Sequence, residues 1–226
     1  MLAPQQWRLD VFMKDYPFMK VRPGSEDLLC IAGTFKFAAE HPMEGEVEDA
    51  FRLQILIPSD FPKRLPLVHE VVGRIPGPGH PDQKKYHVNE DGTFCLGSPL
   101  RLKLSLSRNP TLSEFAENCI VPYLFAVSRK LKNGGEFAFG ELAHGNEGAL
   151  ADYMDLLRLS SEQQVLLSLR LLGMKRQEAN KQPCPCFCGK RLGRCPYRFH
   201  LNNLRRALGR SYVCAEADNI SKYLKH

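Results

Sequence analysis

The sequence lacks the long hydrophobic run that a membrane-spanning segment requires. Its longest apolar stretch, Cys119 to Val127, covers nine residues and is interrupted by Pro122, whereas a spanning helix needs about 20. A basic segment followed by an apolar one, the pattern of a secretory signal, is also missing. These absences predict a cytoplasmic protein without a membrane segment.

Acidic residues are scarce near the end of the chain. The 226 residues include 31 Lys and Arg and 25 Asp and Glu, a net charge of +6. From Lys181 onward, ten basic and two acidic residues give +8, which leaves the remainder near −2. An electrostatic partner is therefore expected at this tail, mainly at residues 190–210, and could be an acidic protein surface or nucleic acid.

Cysteines are few in most of the chain and concentrated in one short stretch. Four of the eight lie in CPCFCGKRLGRC, residues 184–195. In a cytoplasmic protein such clustering favours a metal site over disulfides. Because no carboxylate lies near these cysteines in the sequence, a structural metal is favoured over a catalytic one.

The hydrophobic pattern predicts an α+β fold. In AFRLQILIP, residues 50–58, every second residue is apolar, which is typical of a strand with one buried face. Another strand is indicated at 28–37, and prolines between 62 and 81 frame a third. Helical spacing occurs at 4–19, 112–127, 149–159 and 161–174. This order predicts an antiparallel meander with helices, not a parallel sheet, and Pro122 is expected to interrupt its helix.

Two segments resemble the ubiquitin-conjugating enzyme family. The first, residues 33–76, carries a proline turn at Phe61-Pro62 and Pro66. The second, HVNEDGTFCLG at 87–97, is similar to the family's Gly-x-Ile/Val-Cys-Leu motif. The resemblance covers roughly residues 5–158 and implies a UBC-like fold, in which an antiparallel meander sheet is packed by helices. It divides the chain into a conjugating domain (1–159), a helical connector (160–180) and a basic zinc-binding tail (181–226).

The resemblance also implies catalytic roles. Cys95 would be the nucleophile that carries an acyl group as a thioester. Asn89 would stabilise the oxyanion, although Val88 stands where the family's His-Pro-Asn tripeptide has proline. Glu141 and His144 are candidates to take the proton of the attacking amine, and His87 to orient the loop. The alternatives are a buried inert thiol, a turn-forming Asn89 and a helix-capping His144.

A third segment is similar to bacterial relatives of this family. FGELAHGNEG, residues 139–148, resembles the Gly-Glu-x-x-His-Gly segment of conjugating-enzyme-like proteins in antiphage defence operons. The resemblance implies that the transferred partner is a ubiquitin-like protein or a cGAS-like nucleotidyltransferase. The sequence contains no Gly-rich nucleotide loop, so a separate activating enzyme is expected to supply the activated C-terminus.

The cysteine cluster resembles the SEC-C zinc knuckle. Cys184-x-Cys186-x8-Cys195 follows its spacing, with Gly189 and Lys190 in register. Pro196 stands where that motif has its last ligand. The expected ligands of a structural Zn²⁺ are therefore Cys184, Cys186, Cys195 and His200, with Cys188 as the rival for the fourth position. Binding of the metal is expected to fold a tail too short for a core of its own.

The leading functional prediction is a transferase that passes a protein C-terminus from Cys95 to an amine, in bacterial antiphage defence. The alternative is an inactive UBC-like scaffold whose basic zinc knuckle binds protein or nucleic acid. A third hypothesis is a zinc-dependent nucleic-acid binder. Inactive relatives of the family typically lack the cysteine, so the presence of Cys95 favours the enzyme.

Overall fold

The chain divides into two compact units. The computed structural model describes residues 7–135, 137 and 145–225. The first unit takes the described residues of Met1–Gly97 and Asn109–Glu141, and the second takes those of Ser98–Arg108 and Leu142–His226. The domain boundaries predicted after residues 159 and 180 both fall inside the second unit.

The first unit contains a four-stranded antiparallel sheet in the order β1-β2-β3-β4. Its strands are β1 Met19–Ser25, β2 Leu28–His41, β3 Gly45–Pro58 and β4 Leu67–Glu70. Each strand pairs with the next along the chain, so the predicted antiparallel meander and α+β class are confirmed. Every second residue of β3 is buried from Phe51 to Ile57, because successive side chains of a strand point to opposite faces.

Within the described residues, the first helix is shorter than the range 4–19 that the sequence predicts. Helix α1 covers Leu9–Asp15, and the chain enters β1 at Met19. The ring of Tyr16, just beyond α1, stacks on Phe35 of β2 with 4.3 Å between ring centroids. Strand β1 was not predicted because Pro23 is rare in strands; an edge strand tolerates it, since its missing N–H need not join the ladder.

The predicted helix at 112–127 is present but composite. Its parts are α3 Leu112–Phe115, a π-helical turn Ala116–Ile120 and α4 Val121–Asn133. The helix runs on through Pro122, and the N–H that proline lacks falls where the regular hydrogen-bond ladder is already interrupted. The irregular turn lies directly before α4, and α4 packs against β2 and β3.

The second unit is helical in the residues that the structure describes. Its helices are α2 Pro99–Ser105, α5 Gly145–Leu157, α6 Glu162–Gly173, α7 Arg176–Ala179, α8 Tyr197–Ala207 and α9 Arg210–Tyr223. Ser161 caps α6 by accepting a hydrogen bond from the Gln164 backbone, as its capping-box spacing indicates. Among the described residues, no helix has the length and apolarity needed to cross a membrane.

Helices α8 and α9 pack into a core that the tail shares with other helices of the second unit. Leu201 and Leu204 of α8 and Val213 and Ile220 of α9 are buried in one apolar cluster with residues of α5 and α6. The tail therefore belongs to a shared hydrophobic core. This core gives the cysteine segment a fixed support besides any metal.

A buried carboxylate fastens α2 to α5. Asp152 of α5 accepts a hydrogen bond from the hydroxyl of Ser98, the residue directly before α2. It accepts another from Arg101 Nε of α2 at 2.8 Å. Next to it, the Tyr153 hydroxyl donates to Glu216 of α9 at 2.7 Å. Because both buried carboxylates have hydrogen-bond donors, the cost of removing them from water is offset.

Candidate thiol site and metal centre

Cys95 follows a tight turn that is built by hydrogen bonds. The Gly92 N–H donates to the Asn89 carbonyl at 2.9 Å, and the Asn89 N–H donates to the Thr93 carbonyl at 2.8 Å. Gly92 has φ of +83°, a left-handed conformation that favours glycine. Asp91 accepts hydrogen bonds from the Thr93 N–H and hydroxyl, at 2.9 and 2.6 Å. These bonds give the segment before the thiol one defined geometry.

The turn is attached to the edge of the sheet. Thr93 forms an antiparallel bridge with His69 of β4, and the Phe94 N–H donates to the Val68 carbonyl at 2.8 Å. The Cys95 N–H donates to the His87 carbonyl at 2.7 Å. The backbone of Cys95 is thereby held from two directions while its side chain remains partly exposed.

The two upstream residues that the sequence singled out, His87 and Asn89, make their contacts within the thiol segment and the loop around it. The Asn89 side-chain amide donates to the Thr93 hydroxyl at 2.8 Å, within the turn. His87 contacts Cys95 through its backbone carbonyl, and its ring lies against Phe137 with 4.7 Å between centroids. These contacts suit residues that build the thiol loop, so an oxyanion role for Asn89 stays a prediction. Glu141 and His144 lie outside the described residues.

Tyr123 of α4 packs against the thiol segment, a role that the sequence did not indicate. Its ring stacks on Phe94 with 4.5 Å between centroids, and its hydroxyl donates to the Tyr86 carbonyl at 2.7 Å. Burial raises the pKa of Tyr123 well above the ordinary value, and the negative charge of a Cys95 thiolate raises it further. In the sequence, Tyr123 is recognisable only as an aromatic residue after Pro122. Its place in the helical spacing indicates a core residue and does not indicate contact with the thiol segment.

The environment of Cys95 disfavours the thiolate. Burial raises the pKa of this thiol, and the backbone N–H of Gly97, which lowers it, does not compensate fully. The thiol is therefore protonated at neutral pH. A resting thiol of this kind reacts slowly with adventitious electrophiles, because the thiolate is the nucleophile.

We expect alkylation of Cys95 by iodoacetamide to accelerate about tenfold per pH unit and to continue rising above pH ~9. A short unstructured cysteine peptide should level off above about its ordinary pKa of 8.5. Peptide mass spectrometry of the intact protein after timed quenching measures the rate at residue 95 separately from the other thiols. A plateau below pH ~8 would contradict the effect of burial.

Four cysteine sulfurs converge in the second unit. The Sγ atoms of Cys184, Cys186, Cys188 and Cys195 all lie within 4.8 Å of one another and could hold a metal ion. Cys184 and Cys186 have their sulfurs 3.1 Å apart, and Cys186 and Cys195 3.7 Å. Four thiolates bound tetrahedrally at about 2.3 Å, as zinc binds them, have sulfurs about 3.8 Å apart. The cluster therefore fits such an ion after small adjustments.

A hairpin and a short helical turn bring these cysteines together. The Cys184 N–H donates to the Lys190 carbonyl, and residues 183 and 191 form an antiparallel bridge. Phe187 and Gly189 have φ of +57° and +74°, which closes the hairpin tightly. A 3₁₀ turn at Leu192–Arg194 then returns the chain so that Cys195 faces the other three.

Backbone N–H groups favour thiolates in this cluster. The N–H groups of residues 186, 188 and 190 donate to the sulfurs of Cys184, Cys186 and Cys188 respectively. Burial raises the pKa of Cys184 and Cys186, whereas the Lys190 N–H lowers the pKa of Cys188 to about 7. A bound cation would remove the penalty of burying thiolates, since metal ligands must be deprotonated.

The prediction of His200 as the fourth ligand is not supported by this arrangement, and Cys188, the rival residue, occupies the position. His200 lies inside α8, and its Nε2 is 3.0 Å from the Leu156 carbonyl. Burial lowers the pKa of its imidazole. Helix α8 begins at Tyr197, directly after Pro196, so residue 200 is carried along the helix to α5 while Cys188 stays in the hairpin.

The arginines after the cluster do not form one uniform patch. Arg205 and Arg210 donate to the carbonyls of Leu171 and Gly173 at 2.7 and 2.9 Å, at the end of α6. Arg198 donates to the Gly193 carbonyl. Cationic side chains stabilise the unpaired carbonyls of a helix end, so part of the basic tail has a structural role.

Comparison of this chain with models of known protein families, with curated proteins and with solved structures finds no match. The likeness to ubiquitin-conjugating enzymes therefore rests on the residues quoted from the sequence.

Proposed function

We propose that this protein is a ubiquitin-conjugating-enzyme-like transferase with a structural zinc centre. Cys95 carries a protein C-terminus as a thioester and passes it to an amine. The transferred protein is a ubiquitin-like protein or a cGAS-like nucleotidyltransferase, supplied by a separate activating enzyme in a bacterial antiphage defence system. The cytoplasm is the proposed location.

The observation that supports this proposal most is the environment of Cys95. Its segment is bonded to the edge of the sheet, and its side chain is partly exposed. The other cysteines of the first unit, Cys30 and Cys119, are 4% and 2% exposed and serve as core residues. A carrier thiol needs this combination of a rigid backbone and access for a large donor.

The order of elements agrees with the family that the sequence resembles. A helix, a four-stranded meander, a proline-rich connection, the turn with the thiol and a long helix follow one another in the first unit. An order of elements supports a fold and not a reaction, so the proposed chemistry depends on Cys95.

The proposed reaction has two steps at Cys95. The sulfur of Cys95 attacks the activated carbonyl carbon of the donor, and a C–S bond forms. The activating group leaves with the electron pair of its former bond, and the thiol proton goes to this leaving group. An amine then attacks the thioester carbon, and the resulting oxyanion collapses and expels the thiolate. The amine loses a proton, for which Glu141 and His144 are the proposed acceptors.

The raised pKa of Cys95 has a consequence for the second step. A thiolate is a better leaving group when its conjugate acid is stronger, so burial of this sulfur slows spontaneous loss of the acyl group. Groups that bind or deprotonate the attacking amine must then lower the barrier to acyl transfer. This arrangement suits a carrier that holds its cargo until the proper amine arrives.

The metal cluster would hold Zn²⁺ through Cys184, Cys186, Cys188 and Cys195. Cys184 and Cys195 are 2% and 6% exposed and belong to the core of the second unit. Four protein thiolates leave no open coordination position, which is typical of a structural zinc. Zinc would therefore stabilise the hairpin and take no part in acyl transfer.

The experiment that tests the transferase proposal is the formation of a reducible adduct on Cys95. The full-length protein is incubated with ATP, an activating enzyme and each ubiquitin-like or nucleotidyltransferase protein encoded beside it. We expect an adduct whose mass is that of the two proteins less one water, cleaved by dithiothreitol. C95A should abolish it, C95S should give a thiol-resistant ester, and C214A, which removes an exposed thiol, should leave it unchanged.

Failure to form any adduct with a correctly folded protein would contradict the transferase. An adduct of equal yield in C95A would also contradict it, because another thiol would then be the acceptor. The inactive scaffold would be the better explanation if the basic tail still bound a partner.

A further inference from the structure

The hairpin that carries the cysteines is surrounded by positive charge without local compensation. From Lys181 to Arg210 the chain has eight basic residues and no acidic one. Three of these, Arg198, Arg205 and Arg210, donate to backbone carbonyls. Five remain exposed, and no ion pair in the described part of the chain includes them: Lys181, Lys190, Arg191, Arg194 and Arg206.

A groove runs along this hairpin. It has a volume of about 370 Å³, and its lining includes Lys181, Pro183, Phe187, Lys190 and Arg191. The bridge between residues 183 and 191 joins the two sides of the hairpin, and three cationic side chains line the groove. Such a volume lies at the small end of the range that is usual for ligand sites.

Phe187 is the residue that gives this groove its chemical character. It is 57% exposed, and its φ of +57° holds the residue in a left-handed conformation that non-glycine residues seldom adopt. The Phe187 N–H donates to the Cys184 carbonyl, which secures this turn. The metal hairpin thus presents a large aromatic ring to solvent beside lysine and arginine side chains, instead of burying it in the core.

The cationic side chains and the exposed Phe187 ring together favour one class of polyanionic ligand over the others. An acidic peptide would pair with the lysines and arginine but would gain little from an aromatic face. Duplex nucleic acid offers phosphates, but its bases are stacked inside. Single-stranded nucleic acid presents both phosphates and free base faces, and its usual protein sites combine basic grooves with aromatic stacking platforms.

We propose that this groove binds single-stranded nucleic acid, with phosphates on Lys181, Lys190 and Arg191 and a base stacked on Phe187. The site is separate from the acyl-transfer chemistry proposed for Cys95 and does not depend on it. Stacking is tolerant of base identity, so the binding has little sequence preference.

The test uses the full-length, zinc-loaded protein and fluorescein-labelled oligonucleotides of about twelve nucleotides, oligo-dT and oligo-rU, in fluorescence anisotropy. We expect F187A to weaken binding by about 5- to 150-fold. F199A is the matched control, because Phe199 is 59% exposed but is absent from the groove lining. It should change the Kd by less than about twofold.

Salt dependence tests the contacts with phosphate. Between about 50 and 200 mM salt, the slope of log K against log salt should be about −2 for three cationic contacts with a single strand. K190Q with R191Q should reduce its magnitude by about 1.4, whereas K222Q, an exposed lysine on α9, should leave it unchanged. Zinc content measured on every variant confirms that the hairpin is intact.

Three outcomes would overturn the proposal. The first is unaltered binding in F187A. The second is equal affinity for a labelled acidic peptide of alternating Glu and Asp, with the same dependence on Lys190 and Arg191, which would indicate a protein partner. The third is the absence of binding to either oligonucleotide at low salt. A clear preference between oligo-dT and oligo-rU within a positive result would identify DNA or RNA as the source of the strand.

Discussion

Replacing Cys188 by serine is expected to weaken zinc binding several hundredfold, and replacing His200 by alanine to leave it nearly unchanged. Structural zinc sites in small domains bind with about 10–16 kcal/mol, so the loss of one of four thiolates costs about 3–4 kcal/mol. Cys188 Sγ belongs to the converging group, whereas His200 Nε2 lies beside the Leu156 carbonyl. Competition with a chromophoric chelator measures the affinity of each variant.

The control for this pair is the stoichiometry of metal in the unaltered protein. Elemental analysis should give about one zinc per chain, and C214S should keep it, because Cys214 is exposed and outside the cluster. Weak binding in H200A together with tight binding in C188S would restore the ligand set that the spacing of the zinc knuckle indicates. Equal losses in both variants would point to a general loss of folding, which circular dichroism of the helices detects.

The sheet was the part of the fold that the sequence predicted best. Alternation of apolar residues marked β3 directly, and a run at 28–37 marked most of β2. These signals are strong because one face of the sheet is buried and a shift by one residue would expose it. Strand β1 carried no such signal: only Met19 is buried along its length.

The last two helices were missed for a different reason. Basic residues separate the apolar ones in this part of the chain, so its composition indicates a charged surface more strongly than a buried helix face. Leu201 and Leu204 lie three positions apart and are both buried, the spacing of one helix face. Arg205 and Arg210 contact backbone carbonyls, so basic composition alone did not distinguish structural arginines from exposed ones.

The candidate sites show what spacing in a sequence can and cannot predict. Cys184, Cys186 and Cys195 were expected to converge, and they do. Cys188 joins them, whereas His200 lies in α8 beside the Leu156 carbonyl, because its place depends on where α8 begins, which is a property of the three-dimensional core. The support that Tyr123 gives to the thiol segment could not be predicted either, since residues 94 and 123 meet only after the sheet and α4 have packed.

Removing the ring of Tyr123 is expected to destabilise the first unit strongly. Y123A should lower the free energy of unfolding by about 3–5 kcal/mol, the usual cost of deleting a large buried aromatic side chain. The variant also loses the stacking on Phe94 and the hydrogen bond to the Tyr86 carbonyl. Urea unfolding followed by the emission of Trp7, the only tryptophan and a buried residue of this unit, measures the change.

Two further variants separate the role of Tyr123 in stability from its role at the thiol. Y123F keeps the ring but leaves the Tyr86 carbonyl without this donor, so it should cost about 1–2 kcal/mol. F18A removes a ring that is 54% exposed and should cost less than about 1 kcal/mol. Because Phe94 precedes Cys95, Y123A should also speed alkylation of Cys95 under native conditions, and Y123F should not. Unchanged alkylation in a destabilised Y123A would mean that the hydrogen bonds to His87 and Val68 hold the thiol segment without the ring.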